Sequence, residues 1–498
     1  MLLEGRRERR RAAVRRAGAA AVITLGSVTA AVPGLTAESA HASPAHASPA
    51  SLRWVPCDPE HPGAECAALS VPVDWAHPDG PSFGLALARR AATGPGTRVG
   101  SLVFGPGGPG DSGVDRVVTG IDAFSPEVRR RFDIVSFDPR GVGRSSPVTC
   151  SPDLLAQRPS PKIDDQAAFE ATLAYNQRLR ADCREHTGPV FDHLDTGQTV
   201  RDLDAVRAAL GEAKLTFHGS SYGTVLGAQY AETYPRRVRA MVLESVMDRS
   251  VTSTSAFLRD SAAAAQDSFD EFVKWCDGTP DCALNGRDVR AVWRGLLARA
   301  DRGELANPSA PDTALSPMDL VNRIALRAFV RPDYAGLAEK LAAMEASEPI
   351  PASPTSPAAL PAATPVFCAD WRFPVRDQRE YASLVHAMTT AGPDVPYLLP
   401  LHMTAACLGS PTANPQHRLT ARGAPPILLS NAVHDPATGY PWAESVERQL
   451  GSAGVLLTYE GGGHGSVTNG PCMENAYDRY LIDLQVPPRG TRCPAVTS

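Results

Sequence analysis

Short apolar runs alternate with amphipathic segments along most of the chain. Runs rich in branched and aromatic residues predict buried β-strands in five places, at 101–104, 215–217, 239–245, 425–431 and 454–459. Segments with helical spacing separate these runs, so strands and helices alternate from about residue 51 to 246 and resume at about 425. This alternation predicts an α/β protein with a doubly wound, mostly parallel sheet.

The stretch between the two halves of the predicted sheet has a different pattern. Apolar residues recur with helical spacing in four segments, 255–265, 288–297, 318–329 and 334–344. The Pro-rich run 349–357 can form neither a helix nor a central strand, so we expect an exposed loop there. The pattern therefore predicts a mainly helical lid over 247–420, inserted between core segments at 51–246 and 421–498.

The N-terminal residues have the pattern of a secretory signal. Seven arginines precede a run rich in Ala, Val and Leu, and an Ala-His-Ala motif follows at 40–42. We predict a signal peptide over 1–42 and a low-complexity linker over 43–50. A single-pass membrane anchor is the alternative, which Pro33 and Gly34 disfavour because they shorten the apolar run. Both the Sec and the twin-arginine export routes stay open.

Length and charge narrow the partners that we expect. The chain has 498 residues and 43% hydrophobic content, enough for a large core and more than a single doubly wound sheet needs. Removing 1–42, with its seven arginines and three acids, changes the net charge from −5 to −9. This balance disfavours nucleic acid and anionic membranes as partners. We expect a monomer with no stable membrane association after signal cleavage.

The most informative motif is Gly-Ser-Ser-Tyr-Gly at 219–223, a Gly-x-Ser-x-Gly pattern. A β-prone run enters the motif and a helix-forming segment leaves it, which is typical of a nucleophile elbow. Such a turn exposes the serine hydroxyl on a strained backbone, and its glycines let neighbouring segments approach closely. We predict that Ser221 is a nucleophile. A chance match in a Gly-rich chain is the alternative.

A serine nucleophile requires a base and an acid that orients the base. His464, in a Gly-rich loop after the last predicted strand, is the expected base, and Asp435, after the preceding strand, is the expected acid. Asp248 is the alternative acid because it follows an earlier strand, although an Asp there is more often a cap or turn residue. We expect His218 and His434, which adjoin these motifs, to pack or to support the site.

The oxyanion of an acyl-transfer intermediate needs two N–H donors. Tyr222 follows the nucleophile, and Gly108 lies in the glycine-rich loop 105–113. We predict that their backbone N–H groups are the donors, because glycine lets a carbonyl oxygen approach the bare backbone. A phosphate-binding loop is the alternative for 105–113, but the loop lacks both the Gly-Lys-Ser/Thr ending and the Gly-x-Gly-x-x-Gly pattern.

Four stretches together resemble secreted bacterial tripeptidyl aminopeptidases, in the prolyl-aminopeptidase-like branch of the α/β-hydrolases. They are the Gly-Gly-Pro-Gly loop, the elbow, 132–145 and 199–211. The resemblance extends from about Trp54 to about Cys493 and implies an α/β-hydrolase fold.

Two further motifs match the family and two positions depart from it. The resemblance places Asp435 in the family's Asp-Pro-x-Thr motif and His464 in its Gly-His-Gly motif. Gly105-Pro106 stands where many prolyl-specific relatives carry a histidine, and Leu243-Glu244-Ser245 replaces the usual Leu-Asp-Gly. These departures lie near the acyl site, so the substrate preference stays open.

Ten cysteines in an exported chain indicate disulfide bonds. Spacing alone leaves the connectivity open, but it suggests that neighbours pair in order, and the resemblance supports this order: Cys57–Cys66, Cys150–Cys183, Cys276–Cys282, Cys368–Cys407 and Cys472–Cys493. Zinc binding is the alternative, which the absence of Cys-x-x-Cys and of a His-x-x-x-His pair disfavours.

Together these features predict an exported serine exopeptidase that releases short peptides, by resemblance tripeptides, from free N-termini through an acyl-enzyme intermediate. We expect no cofactor and no metal. Glu244 is a candidate for binding the substrate's ammonium group, and a structural carboxylate is its alternative reading. Two other functions stay open: a carboxylesterase or lipase-like hydrolase with the same triad, and a non-catalytic binding protein on a hydrolase scaffold.

Overall fold

The computed structural model describes residues 52–94, 98–308, 310–351 and 364–496. The predicted signal peptide, the predicted linker and residues 352–357 of the predicted Pro-rich loop lie outside these ranges. No helix in the described part of the chain is both long enough and apolar enough to cross a membrane.

Ten strands form one large sheet, and two more form a small separate one. The bounds are β1 Val55–Pro56, β2 Ala64–Pro72, β3 Ser82–Arg90, β4 Gly100–Gly105, β5 Phe132–Phe137, β6 Leu215–Ser220, β7 Val238–Glu244, β8 Ala306–Asn307, β9 Ala310–Ala314, β10 Ile427–His434, β11 Gly454–Gly462 and β12 Arg492–Cys493. The large sheet has the order β1-β2-β3-β5-β4-β6-β7-β10-β11-β12. Its pairs are antiparallel from β1 to β5 and parallel from β5 onward. The predicted mostly parallel sheet is confirmed.

Helices connect these strands. Their bounds are α1 Gly113–Thr119, α2 Pro126–Arg131, α3 Pro152–Ala156, α4 Gln166–Thr187, α5 Thr196–Ala209, α6 Tyr222–Thr233, α7 Thr254–Gly278, α8 Val289–Asp301, α9 Pro317–Asp319, α10 Leu326–Val330, α11 Tyr334–Ala346, α12 Thr364–Asp370, α13 Gln378–Ala391, α14 Leu399–Cys407, α15 Tyr440–Leu450 and α16 Pro471–Asp483. A π-helical turn, Leu320–Ala325, joins α9 to α10.

The central strands are buried on both faces, as parallel strands between two helical layers must be. Because side chains alternate along a strand, Met241 and Leu243 of β7 pack in a cluster with residues of α5, α6 and α15. Ala240 and Val242 pack in a second cluster with residues of α1, α2 and α16. All four residues are 0% exposed, so a polar substitution at any of them would disrupt one of the two layers.

Helices α7 to α14 and the small sheet β8–β9 lie between β7 and β10. The four segments with helical spacing overlap α7, α8, the α9–α10 stretch and α11. We call residues 247–420 the helical insertion. Large aromatic side chains form its interior: Phe257, Phe269, Phe272, Trp293 and Trp371. This core explains why the helices pack together.

The ten cysteines form five disulfides in sequential order, and none of them is free. The pairs are Cys57–Cys66, Cys150–Cys183, Cys276–Cys282, Cys368–Cys407 and Cys472–Cys493. Within the described ranges, one group of potential metal ligands lies close together: Asp182 and the sulfur atoms of Cys150 and Cys183. Because these two sulfur atoms are joined as a disulfide, they cannot serve as thiolate ligands.

A buried ion pair fixes the loop after β5 to α5. Arg140 and Asp202 are both 0% exposed, and the guanidinium donates to the Asp202 carboxylate from Nε at 2.8 Å and from Nη2 at 2.7 Å. Arg140 also donates to three backbone carbonyls, and Trp75 Nε1 donates to Asp202 at 2.8 Å. These bonds compensate for burying both charges.

Candidate active site

The predicted site residues converge on one edge of the sheet. Strands β4, β6, β10 and β11 are connected through parallel pairs, so their carboxyl ends lie at the same edge. The glycine-rich loop follows β4, the elbow follows β6, Asp435 follows β10 and the His464 loop follows β11. In open α/β sheets this edge is where ligands bind.

Ser221 occupies the sharp turn between β6 and α6. Its backbone has φ 54° and ψ −120°, a strained conformation for a residue with a side chain. The Ser221 N–H donates to the Glu244 carbonyl at 2.9 Å, which ties the turn to the end of β7. A side chain at Gly219 or Gly223 would place Cβ within 2.3 Å of a backbone oxygen, so only glycine permits this packing.

His464 and Asp435 form a close pair. The His464 Nδ1 atom lies 2.9 Å from Asp435 Oδ1 and 3.0 Å from Oδ2. Asp435 is 1% exposed and also accepts hydrogen bonds from the N–H groups of Ala437 and Thr438, each at 2.9 Å, and from Thr438 Oγ1 at 3.1 Å. These donors hold the carboxylate in place, and the carboxylate in turn orients the imidazole.

The charges around His464 favour its protonated form. Burial by itself would lower the pKa of His464, but the negative charges of Asp435, Glu244 and Asp111 outweigh it, so the pKa lies above its ordinary value of 6.5. A histidine in this environment can take up a proton from a neighbouring hydroxyl and hold it.

The predicted oxyanion donors flank the elbow. Tyr222 is the first residue of α6, where N–H groups have no acceptor within the helix. Gly107 packs directly on Ser221, because a Cβ built there would lie 3.0 Å from Ser221 Cβ and 3.5 Å from Oγ. Gly108 follows it with φ 107°. The loop therefore lies against Ser221, and the donor role of Gly108 stays a prediction.

Comparisons with known proteins agree with this geometry. A family model described as alpha/beta hydrolase fold matches residues 100–322, and one described as TAP-like protein matches residues 400–493. The serine protease Hip1 of Mycobacterium tuberculosis is 32% identical over 478 residues, covering 89% of this chain and 91% of Hip1. The tripeptidyl aminopeptidase of Streptomyces lividans is 31% identical over 467 residues, covering 86% and 83%. This chain belongs to the tripeptidyl aminopeptidase family of α/β-hydrolases.

Membership of this family makes the chain a serine hydrolase of the peptidase type. One further relative carries a different activity in its name. The carboxylesterase B of Mycobacterium tuberculosis is 30% identical over 475 residues, covering 86% of each chain. The relatives of this chain thus include peptidases and a carboxylesterase.

Asp248, the alternative acid, and His434, which adjoins Asp435, form hydrogen bonds with residues outside the predicted triad. The Asp248 carboxylate accepts hydrogen bonds from the Ser250 N–H at 2.8 Å and from Gln449 Nε2 at 2.9 Å, so it serves a turn next to α15. His434 Nδ1 lies 2.7 Å from Asp267 Oδ2 in α7, and this contact raises the pKa of His434. Both arrangements agree with supporting roles.

Glu244 is buried beneath the His464 loop. It is 6% exposed, and Oε1 accepts hydrogen bonds from the Ser466 N–H at 2.5 Å and the Val467 N–H at 2.7 Å. Oε2 lies 3.0 Å from His218 Nε2. Since internal donors engage both oxygens, the surroundings of Glu244 lend no support to the expectation that it binds a substrate ammonium group.

Sequence reasoning did not single out the contacts that join the helical insertion to the site. The His464 N–H donates to the Val330 carbonyl at 2.9 Å. Asp370 is 0% exposed and accepts hydrogen bonds from the Tyr222 hydroxyl at 2.5 Å and the Thr196 N–H at 2.8 Å. These contacts join residues 134 and more positions apart, so no local motif marks them.

Proposed function

We propose that this protein is an exported serine exopeptidase that releases short peptides, of three residues, from free N-termini through an acyl-enzyme intermediate. The observation that carries the proposal is the His464–Asp435 pair, held at the same sheet edge as the strained Ser221 elbow. The names of Hip1 and of the Streptomyces tripeptidyl aminopeptidase support a peptide substrate.

In the proposed mechanism, Ser221 Oγ adds to the scissile carbonyl carbon while its proton passes to His464 Nε2. Asp435 keeps the remaining proton of the imidazole on Nδ1 and stabilises the imidazolium. The N–H groups of Tyr222 and Gly108 bind the oxyanion. The intermediate then collapses, His464 gives its proton to the leaving amine, and the peptide remains as an ester on Ser221. A water molecule, deprotonated by His464, hydrolyses that ester and restores the hydroxyl.

The helical insertion supports the exopeptidase part of the proposal. Its hydrogen bonds with His464 and Tyr222 support a position over the proposed site. A cover of this kind excludes water and limits how much of a polypeptide can enter, which suits cleavage near a chain end. We propose that the insertion acts as the lid of this enzyme.

Export is supported by the five disulfides, since such bonds persist in oxidising compartments. We propose that the N-terminal segment directs the chain out of the cell and that cleavage follows Ala42. N-terminal sequencing of the protein recovered from culture medium tests this. A mature chain that retains the arginines of the N-terminal segment would contradict it.

The nucleophile is tested with a matched pair of variants. Ser221→Ala should abolish hydrolysis of a tripeptidyl amide and labelling by a fluorophosphonate, while Ser220→Ala should retain both, because Ser220 still belongs to β6. Circular dichroism should show the same fold for both variants. Activity that survives in Ser221→Ala but not in Ser220→Ala would contradict the assignment.

Specificity is tested by blocking the substrate N-terminus. Acetylating a tripeptidyl amide should lower kcat/KM by at least about tenfold, because one lost charge-assisted contact is worth about 1.5–3 kcal/mol. Aminoacyl and dipeptidyl amides should be poorer substrates than the free tripeptidyl amide.

A carboxylesterase is the second candidate, which the relationship to carboxylesterase B favours. Faster turnover of simple acyl esters than of any peptide would select this second candidate, and equal rates on blocked and free peptides would indicate an endopeptidase.

A further inference from the structure

One buried side chain connects the nucleophile to the base. The Glu244 carbonyl accepts the Ser221 N–H at 2.9 Å, and the Glu244 carboxylate accepts the N–H groups of Ser466 and Val467, two and three positions after His464. Glu244 is thus bonded to both halves of the site. Residue 466 lies 222 positions away along the chain, so this bond closes a long loop.

We propose that Glu244 is a positioning residue, which holds the His464 loop at a fixed place relative to the Ser221 elbow. The proposal rests on the serine hydrolase function proposed above. The physical reason is the geometry of the two N–H groups: they converge on a single carboxylate oxygen, and a displacement of the loop would leave buried donors without an acceptor. Glu244 therefore acts on the reaction through His464 and does not touch the substrate.

The other oxygen of Glu244 has a buried support of its own. A carboxylate only accepts hydrogen bonds, so His218 Nε2 donates to Oε2 at 3.0 Å. In the neutral imidazole Nδ1 is then an acceptor, and the Tyr477 hydroxyl lies 2.8 Å from it. The His218 ring is 3% exposed and contacts Phe104, Phe124 and Tyr477 edge-on. Tyr477 and His218 thus fix the direction of the Glu244 side chain.

Charge gives Glu244 a second effect on His464. Burial alone would raise the pKa of Glu244, but the hydrogen bonds from His218 and from the loop lower it overall, so the carboxylate is ionised. Its negative charge is one of three, with those of Asp435 and Asp111, that raise the pKa of His464. Position and charge can be tested separately because glutamine removes the charge but can still present its carbonyl oxygen to the two loop N–H groups, while its NH₂ group takes the place of Oε2 beside His218.

The first variant is Glu244→Gln. We expect the acidic limb of the kcat/KM profile to move to lower pH, because the removed charge no longer stabilises the imidazolium, while KM stays within about threefold. The second variant is Glu244→Leu, which removes the acceptor for both loop N–H groups. It should lower kcat by at least about tenfold at nearly unchanged KM. Urea unfolding curves for both variants verify that the assayed protein is folded.

Glu232 provides a matched control. It accepts a hydrogen bond from a histidine, His417 Nε2 at 2.8 Å, and from a loop N–H, that of Thr420 at 3.0 Å. It lies near the end of α6, about 15 Å along the helix axis from the elbow at 1.5 Å per residue. Glu232→Gln and Glu232→Leu should therefore retain the wild-type kcat and the wild-type pH profile.

The outcomes separate this proposal from the function on which it rests. An active Ser221→Ala variant would overturn the serine hydrolase function itself. The positioning role alone would be overturned by three results together. They are an inactive Ser221→Ala variant, wild-type kcat in Glu244→Leu, and an acidic limb of the kcat/KM profile that does not shift in Glu244→Gln. A rise in KM at unchanged kcat would assign Glu244 to substrate binding and also overturn it. If Glu244→Leu does not fold, the pH profile of Glu244→Gln decides.

Discussion

Replacing Asp435 with asparagine should inactivate the enzyme while leaving the fold intact. Oδ1 of Asp435 accepts the N–H groups of Ala437 and Thr438, so the carbonyl oxygen of an asparagine would take that position. Its NH₂ group would then take the place of Oδ2, 3.0 Å from His464 Nδ1. An amide N–H at this place makes Nδ1 an acceptor, and the imidazole proton moves to Nε2. The base would then present a proton to Ser221 instead of a lone pair.

The expected loss follows from this tautomer change. The same replacement in a serine protease triad lowers kcat by about 10⁴ with the geometry preserved, which corresponds to about 5.4 kcal/mol of transition-state stabilisation. Asp435 is 1% exposed and its neighbours are backbone N–H groups, so water cannot readily replace the missing acceptor. We therefore expect a loss on the order of 10⁴ in kcat for Asp435→Asn.

Steady-state hydrolysis of a tripeptidyl amide measures this loss, and thermal unfolding of the same samples verifies the fold. Asp248→Asn is the control, because Asp248 also follows a strand of the sheet but accepts from Ser250 and Gln449. It should stay within about threefold of wild type. A folded Asp435→Asn variant that retains more than about a tenth of the wild-type kcat would refute the reasoning, as would a larger loss in Asp248→Asn.

Three further predictions concern stability, pH and redox state. Arg140→Met should lower the free energy of unfolding by about 3–5 kcal/mol in urea titrations, because it leaves the fully buried Asp202 carboxylate without its cationic partner. A loss below about 1 kcal/mol would contradict this. Catalysis requires a neutral His464, so activity should fall as the pH drops through its raised pKa, and an acidic limb at or below 6.5 would contradict the charge argument. The denatured, unreduced protein should contain no free thiol, and peptide mapping should recover Cys472 linked to Cys493; two or more free thiols would contradict the five disulfides.

Features encoded in local sequence could be predicted, because each has a local physical cause. Gly219 and Gly223 indicated the elbow in the sequence, because the close approach of backbone oxygens leaves no room for a side chain at either position. Apolar runs predicted the buried strands, and helical spacing predicted the main helices of the insertion. The mostly parallel sheet followed from their alternation.

Long-range contacts could not be predicted in the same way. From its position at the end of a strand, Glu244 could be a substrate-binding or a structural carboxylate, and the sequence does not reveal that the partners of its carboxylate lie at 218, 466 and 467. Asp370 belongs to a helix without a sequence motif, and its structural role depends on hydrogen bonds from Tyr222 and Thr196 of the core. The chain has to fold before such residues become neighbours, so spacing along the sequence carries no signal for them.

The hydrogen bond from the His464 N–H to the Val330 carbonyl limits how modular this enzyme can be. Val330 ends α10 of the helical insertion, so the insertion supplies one of the attachment points of the His464 loop. A hydrolase made smaller by deleting the insertion would lose this attachment point of its histidine. Engineering of new specificities should therefore leave Val330 and Asp370 in place and vary the insertion between them.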